Sequence, residues 1–133
     1  MRYLIDTNMC IYIMNERPSK VIKRFKERDP GEIGLSTITV SELHYGVSKS
    51  VHREENRQRL EDFMVPFDIL DYDGTAARAY GDIRFQLEKQ GQPIGPLDML
   101  IAAQAFSHNL ILITNNDREF KRIKGLQIDN WTK

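Results

Sequence analysis

Several features are scarce or missing in this sequence, and each one excludes a class of protein. Cys10 is the single cysteine among 133 residues, so an internal disulfide is impossible. No apolar run approaches the roughly 18 residues that a membrane-spanning helix needs, and no basic-then-apolar leader precedes the first predicted strand. We therefore expect a cytoplasmic protein without a membrane anchor, in which Cys10 is buried and chemically inert.

The sequence also lacks net charge, because 19 Lys and Arg residues balance 19 Asp and Glu residues. A nucleic-acid-binding domain is usually basic, so the whole-chain charge does not by itself support that function. Basic residues nevertheless cluster between Lys20 and Arg28 and between Arg118 and Lys124. Each cluster alone is typical of a solvated face. If several acids converge on one site, however, the remaining surface must be net positive by the same amount.

What is present indicates one folded α/β domain spanning residues 1–133. Hydrophobic residues make up 41% of the chain and charged residues 29%, which is ordinary for a globular protein. Short apolar runs alternate with helical patterns, as in parallel βαβ units. Strands are predicted at residues 2–5, 33–35, 67–70, 110–113 and 125–129. Residues 110–113 form the most apolar run and are the best candidate for a central strand. Helices are predicted at residues 10–14, 18–27, 36–47, 54–63 and 73–90, and from Pro96 onward.

Acidic and amide side chains recur where a predicted strand ends or a helix begins. They are Asp6, Glu42, Asp98 and the group Asn116, Asp117 and Glu119. Each has a purely structural interpretation. Asp6 is a favoured helix cap, and Thr39-x-x-Glu42 and Asn116-x-x-Glu119 match capping boxes. Asp98, in the first turn of a predicted helix, interacts favourably with the helix dipole. In a parallel sheet, however, strand ends and the following helix starts share one edge. These side chains are therefore expected to converge.

Converging carboxylates favour a site for a hard divalent cation. Carboxylates that lie close together repel one another and raise one another's pKa, and a bound cation relieves that repulsion. Mg²⁺ and Mn²⁺ prefer oxygen ligands, and the three histidines have no zinc-like spacing. Such a cation can activate a water molecule for attack on a phosphodiester and stabilise the leaving oxygen. The sequence has no glycine-rich phosphate loop and no competing nucleophile motif.

The acids lie within four short sequence motifs. Four segments, in order along nearly the whole chain, resemble the PIN-domain family and, more narrowly, the VapC-type toxins of bacterial toxin–antitoxin pairs. They are Leu4-Ile5-Asp6-Thr7-Asn8, Thr39-Val40-Ser41-Glu42-Leu43-x-x-Gly46, Gly95-Pro96-Leu97-Asp98-x-x-Ile101-Ala102 and Ile113-Thr114-Asn115-Asn116-x-x-Glu119-Phe120. Each motif is weak alone, but four in order at these separations are specific.

The resemblance implies a three-layer α/β/α sandwich with a mostly parallel sheet and a Mg²⁺- or Mn²⁺-dependent endoribonuclease. Carried over by position, Asp6 and Asp98 match the principal metal ligands, and Glu42 matches the third acid. Thr7, Asn8 and Thr114 match polar residues that orient these acids. The fourth acid of the family is often two residues after Thr114, where this chain has Asn116, so Asn116, Asp117 or Glu119 would complete the site.

The resemblance also implies partners. They are a VapB-like antitoxin whose tail covers the acidic site, a second toxin copy in a homodimer, and operator DNA reached only through the antitoxin. The RNA substrate implied is initiator tRNA, cut in its anticodon loop. From charge alone, and not from the resemblance, Arg84 or a residue of the cluster Lys20–Arg28 is a candidate phosphate contact. An apolar groove beside the helices after Asp6 and Glu42 is expected to receive the antitoxin.

Two other functions remain open from the sequence. The first is a binding module with the same scaffold that docks RNA or protein without cutting, which the Asn116 departure and the neutral charge favour. The second is a phosphotransferase with Asp6 as nucleophile. Such enzymes usually carry another acid two residues on, and Asn8 occupies that place.

Overall fold

The computed structural model describes all 133 residues and contains one parallel sheet of five short strands. The strands are β1 (Tyr3–Ile5), β2 (Ile33–Ser36), β3 (Asp68–Leu70), β4 (Ile111–Ile113) and β5 (Ile128–Asp129). Their spatial order is β3-β2-β1-β4-β5, and every neighbouring pair is parallel. Leu4 in β1 is in register with Gly34 on one side and Leu112 on the other. The first strand of the chain is therefore the middle of the sheet.

Seven α-helices connect or flank these strands. They are α1 (Thr7–Met14), α2 (Ser19–Lys26), α3 (Thr37–Ser48), α4 (Arg53–Met64), α5 (Gly74–Lys89), α6 (Pro96–Ser107) and α7 (Asp117–Phe120), with a 3₁₀ turn at Pro30–Glu32. None of the helices is long and apolar enough to cross a membrane.

Alternation of side chains along β1 divides the core into two clusters. Successive residues of a strand point to opposite faces, so Tyr3 and Ile5 pack on one side of the sheet and Leu4 on the other. The first cluster includes buried residues of α1 to α4, and the second includes buried residues of α5, α6 and α7. The sheet thus lies between two helical layers, which confirms the predicted α/β/α sandwich.

Most predicted elements are confirmed to within one or two residues, with three differences. The helix predicted at 10–14 begins at Thr7, because Asp6 caps it directly after β1. The strand predicted at 125–129 is only two residues long, Ile128–Asp129. Gly125 has a positive φ, which lies outside the β region, so the strand begins after it. The run at 110–113 forms β4, an inner strand between β1 and β5, and β1 is the middle strand because two strands lie on each side of it.

The last residues of the chain are fixed to the first helical layer. Trp131 is fully buried and meets Tyr3 edge-on, with ring centroids 5.9 Å apart. The Arg28 guanidinium lies over both rings, at 5.3 Å from Tyr3 and 5.1 Å from Trp131. The segment after β5 is therefore part of the packed core.

Candidate active site

Asp6 follows the central strand and caps the next helix, which is one of the two interpretations that the sequence left open. Its Oδ1 accepts a 2.9 Å hydrogen bond from the Met9 backbone N–H, which caps α1. The residue is only 6% exposed. Burial, above all, raises the pKa of Asp6 to about 6, with smaller contributions from the negative charges of Asp98 and Glu42. The Met9 hydrogen bond and one from the Thr114 side chain oppose that rise.

Glu42 is held by another residue of the site and not by its own helix. The predicted capping box at Thr39 and Glu42 is wrong, because α3 begins earlier: the Ser36 Oγ caps it by accepting a 2.9 Å hydrogen bond from the Ile38 N–H. The Thr7 hydroxyl donates instead to Glu42 Oε1 at 2.7 Å. The start of α1 therefore orients the carboxylate of α3.

Asp98 lies in the first turn of α6, which begins at Pro96. It is half-buried, and its pKa is raised first by burial and then by the charges of Glu42 and Glu119. Its Oδ2 lies over Gly95, where an added Cβ would be 3.4 Å away. The glycine thus leaves the carboxylate room at the helix start.

The segment after β4 brings one further acid to the cluster. The Asn116 N–H donates to Thr114 Oγ1 at 2.9 Å, and the Asn116 side-chain Nδ2 donates to Glu119 Oε2 at 2.7 Å. Asn116 therefore precedes α7 but makes no side-chain bond to its backbone, so the predicted capping box is not formed. Instead, the Asn116 amide binds the Glu119 carboxylate, and the negative charge of Glu119 contributes to the raised pKa of Asp98.

Asp117 faces a different part of the molecule. Its Oδ1 accepts from Asn130 Nδ2 at 3.2 Å, and its Oδ2 accepts from Lys133 Nζ at 3.0 Å. The Lys133 bond, first of all, lowers the pKa of Asp117, whereas the pKa of Asp98 is raised. The structure therefore brings together Asp6, Glu42, Asp98 and Glu119, joined through Asn116, and places Asp117 outside this group.

The four grouped carboxylates have no basic partner. The seven ion pairs of the structure involve other acids, among them Asp117 with Lys133 and Asp73 with His108. Such an excess of negative charge, on oxygen ligands that are buried at Asp6 and half-buried at the other three acids, fits a hard divalent cation. No three of these side chains converge on one point as they stand. Joint coordination would thus require the side chains to rotate.

The other reactive side chains are engaged elsewhere. Cys10 is buried, and burial raises the pKa of its thiol, as expected of an inert cysteine. His108 Nε2 lies 3.0 Å from Asp73 Oδ2, and no histidine belongs to a metal-binding group.

Two hydrogen-bonded networks, one buried and one partly exposed, had no signal in the sequence. Ser36 and Gln104, both fully buried, are hydrogen-bonded, and Gln104 Nε2 donates to the Leu70 carbonyl at 3.0 Å. The second network joins Asp117 to Asn130 and Lys133. In each, the partners lie far apart in sequence or outside any motif, so spacing does not connect them.

An apolar groove beside Glu42, bordered by α1, α3 and α4, has a volume of about 220 Å³. Its hydrophobic lining consists of Ile11, Met14, Leu43, Val47 and Leu60. Arg59 also lines it and donates to the Met14 carbonyl at 2.7 Å, which joins α4 to α1. The groove predicted after Asp6 and Glu42 is therefore present.

Known proteins match this chain over nearly its whole length. The chain is 42% identical over 132 residues to the tRNA(fMet)-specific endonuclease VapC of Shigella flexneri, covering 99% of both chains. It is 44% identical over 131 residues to the ribonuclease VapC2 of a Haemophilus influenzae strain, covering 98% of both.

A solved structure shares the fold closely. The DNA-bound VapBC of Salmonella typhimurium superposes on this chain with a TM-score of 0.92 and 40% identity, covering 98% of each chain. The family model of the PIN domain matches residues 3–126, which include all four acids of the cluster. The chain belongs to the PIN domain family.

Proposed function

We propose that this protein is a divalent-cation-dependent endoribonuclease and the toxin of a VapBC-type pair. The observation that carries this proposal is the cluster of Asp6, Glu42, Asp98 and Glu119, which lies at one sheet edge without a basic partner. Relatives covering nearly the whole chain are named VapC ribonucleases. We further propose that residues 1–133 act as one functional domain, in the cytoplasm where its RNA substrate lies.

Asp6 and Asp98 are the residues proposed to hold Mg²⁺ or Mn²⁺, with Glu42 binding the ion directly or through water. When bound, such a cation lowers the pKa of a water molecule and stabilises charge at phosphorus. The Thr7 hydroxyl fixes Glu42 so that its carboxylate can orient or deprotonate the attacking water. The Met9 N–H fixes Asp6. Asn116 keeps Glu119 beside Asp98 to complete the group.

The substrate proposed is initiator tRNA, cut in its anticodon loop, where unstacked bases are accessible to a small nuclease. The name of the Shigella flexneri relative supports this substrate. Of the basic cluster Lys20–Arg28, Arg24 and Arg28 are engaged with residues 129–133 and with aromatic rings. Exposed Lys20, Lys23 and Lys26 remain free for RNA phosphates, whereas Arg84 is paired with Glu88 at 2.8 Å.

The partner proposed is a VapB-like antitoxin that seats a helix in the groove beside Glu42. The groove is apolar along α1, α3 and α4 and includes Glu42 in its lining. A segment bound there would reach the acidic cluster and block it. The solved VapBC of Salmonella typhimurium is bound to DNA. For this chain we propose DNA contact only through the antitoxin, and a toxin homodimer within the complex.

A binding module without nuclease activity is the second candidate. It is favoured by Asn116 in place of an acid and by the absence of three ligands converging on one point. The two candidates differ in one measurement. The purified chain and its Asp6→Ala variant are incubated with total cellular RNA and Mg²⁺ or Mn²⁺, with and without EDTA, and the cut ends are sequenced.

For the nuclease we expect discrete cuts, enriched in one tRNA loop, that disappear on chelation and in Asp6→Ala. Folding of the variant is checked by circular dichroism. A folded, antitoxin-free chain that leaves the RNA intact under all conditions would favour the binding module.

A further inference from the structure

The helix that carries Glu119 is too short to hold its own position. α7 spans four residues, Asp117–Phe120, and an isolated helix shorter than about 12 residues is marginal in water. Contacts outside the helix must therefore decide where the Glu119 carboxylate lies relative to Asp98. Phe120, buried in the second core cluster, supplies one of them.

Asp117 supplies a second contact, on the side of α7 that faces away from the acids. Both of its carboxylate oxygens are used, by Asn130 Nδ2 at 3.2 Å and by Lys133 Nζ at 3.0 Å. The side chain is 17% exposed, and Lys121 Nζ lies 3.9 Å away. These bonds join the first residue of the short helix to the segment after β5.

That segment is itself fixed to α2. Arg24 Nη1 donates to the carbonyls of Asn130 and Lys133, each at 3.1 Å, and Nη2 donates to Asp129 Oδ2 at 2.8 Å. Asn130 is 7% exposed, and its Oδ1 accepts from both the N–H and the hydroxyl of Thr132. Fully buried Trp131 lies within it. The segment is thus a firm support for Asp117.

We propose that Asp117 is a positioning residue for the acidic cluster: by binding Asn130 and Lys133 it fixes α7 and thereby holds Glu119 beside Asp98. This inference rests on the proposed function insofar as the cluster binds a divalent cation. Asp117 itself does not touch the ion. Hydrogen bonds join Arg24 of α2 to Asn130 and Asn130 to Asp117, and α7 connects Asp117 to Glu119.

The test measures Mn²⁺ binding directly, from the electron paramagnetic resonance signal of free Mn²⁺ in titrations of the full chain. Asp117→Ala should weaken Mn²⁺ binding roughly tenfold, the scale seen when groups that support metal ligands are lost. Asp117→Asn and Lys133→Ala remove the ion pair and its hydrogen bond but keep an acceptor for Asn130 Nδ2. They should weaken binding by about two- to threefold, because exposed ion pairs contribute little.

Two control variants match these changes. Asp73→Ala removes another acid at a helix start, also paired with a basic side chain, and Lys124→Ala removes an exposed charge near α7. Both should bind Mn²⁺ as the parent chain does. Amide hydrogen exchange without metal gives a second readout. In Asp117→Ala the amides of Phe120, Lys121 and Arg122 should exchange faster, while those of β4 should not change.

Unchanged Mn²⁺ affinity in folded Asp117→Ala would overturn the proposal, as would unchanged exchange in α7. If Asp117→Ala does not fold, unchanged affinity in Asp117→Asn and Lys133→Ala together overturns it. Failure of the proposed function is seen separately. A parent chain that binds Mn²⁺ in this graded way but cuts no RNA would refute the nuclease and leave the positioning role intact, whereas a parent chain that binds no Mn²⁺ overturns both.

Discussion

The Thr7 hydroxyl donates a 2.7 Å hydrogen bond to Glu42 Oε1, across 35 positions of sequence. This bond joins the residue after Asp6 to the middle of α3, so that two motifs of the sequence meet in one contact. It leaves Glu42 with one fixed oxygen and one oxygen free to face a ligand or a water molecule.

Replacing Thr7 with Val keeps the branched shape and removes the donor. We expect RNA cleavage to fall roughly tenfold, as for other groups that orient metal-site carboxylates, with little change in folding. Cleavage rates at saturating Mg²⁺ are compared with those of Ser41→Ala, which removes an exposed α3 hydroxyl bonded to the Thr37 carbonyl. Equal rates in Thr7→Val and the parent chain would show that the bond has no role in catalysis.

Burial of Asp6 predicts a stability that depends on pH. Its pKa is raised from 3.8 to about 6, so between these values the folded chain binds a proton that the unfolded chain has lost. The free energy of unfolding from this group therefore falls as pH rises from 4 to 6. In EDTA at pH 7, Asp6→Asn should stabilise the fold by up to about 3 kcal/mol, and at pH 4 the gain should vanish.

Urea unfolding at the two pH values measures this difference. Asp68→Asn, an exposed acid on β3, is the control and should change little at either pH. An Asp6→Asn variant that is no more stable than the parent chain at pH 7 would contradict a buried, uncompensated carboxylate.

A charge placed in the groove beside Glu42 is predicted to prevent antitoxin binding without abolishing nuclease activity. Ile11 lines the groove and is 41% exposed, so Ile11→Glu should place a charge there without disrupting the core. We expect loss of growth rescue by the cognate antitoxin, with RNA cleavage retained. Val65→Glu, at a residue 81% exposed outside the groove, is the matched control. Full rescue of Ile11→Glu would place the antitoxin elsewhere.

The buried Gln104 predicts a stability effect that is independent of the acids. Gln104→Met leaves the Ser36 hydroxyl and the Leu70 carbonyl without their side-chain partner. An unpaired buried polar group costs about 1–3 kcal/mol, so the free energy of unfolding should fall by about 2 kcal/mol in urea titrations. Gln127→Met, at an exposed position, should leave it unchanged.

The sequence predicts the fold well because the apolar runs are short, separate and followed by helix starts. β1 and the start of α1 follow directly from Leu4, Ile5 and Asp6. The centre of the sheet was harder to predict. Residues 110–113 are more apolar, but strand order depends on which crossovers the helices allow and not on hydrophobicity alone.

In the site, chain order indicates which acids share an edge but not which way each side chain points. Glu119 and Asp117 are two residues apart, and their carboxylates face opposite parts of the molecule. The difference arises from Asn130 and Lys133, which lie outside every motif. Similarly, Glu42 matches a capping box in the sequence, but the structure shows that Ser36 caps this helix and that Thr7 binds Glu42.

One measurement tests the central claim, that the acidic cluster cuts RNA, most directly. Initiator tRNA transcript is incubated with the parent chain and with Asp98→Asn, with Mg²⁺ and with EDTA, and the products are resolved on a sequencing gel. We predict a cut in the anticodon loop by the parent chain with Mg²⁺, and none in EDTA or with a folded Asp98→Asn variant. Cleavage by Asp98→Asn at the parent rate, or cleavage that persists in EDTA, would contradict the assignment of the acidic cluster as the catalytic site.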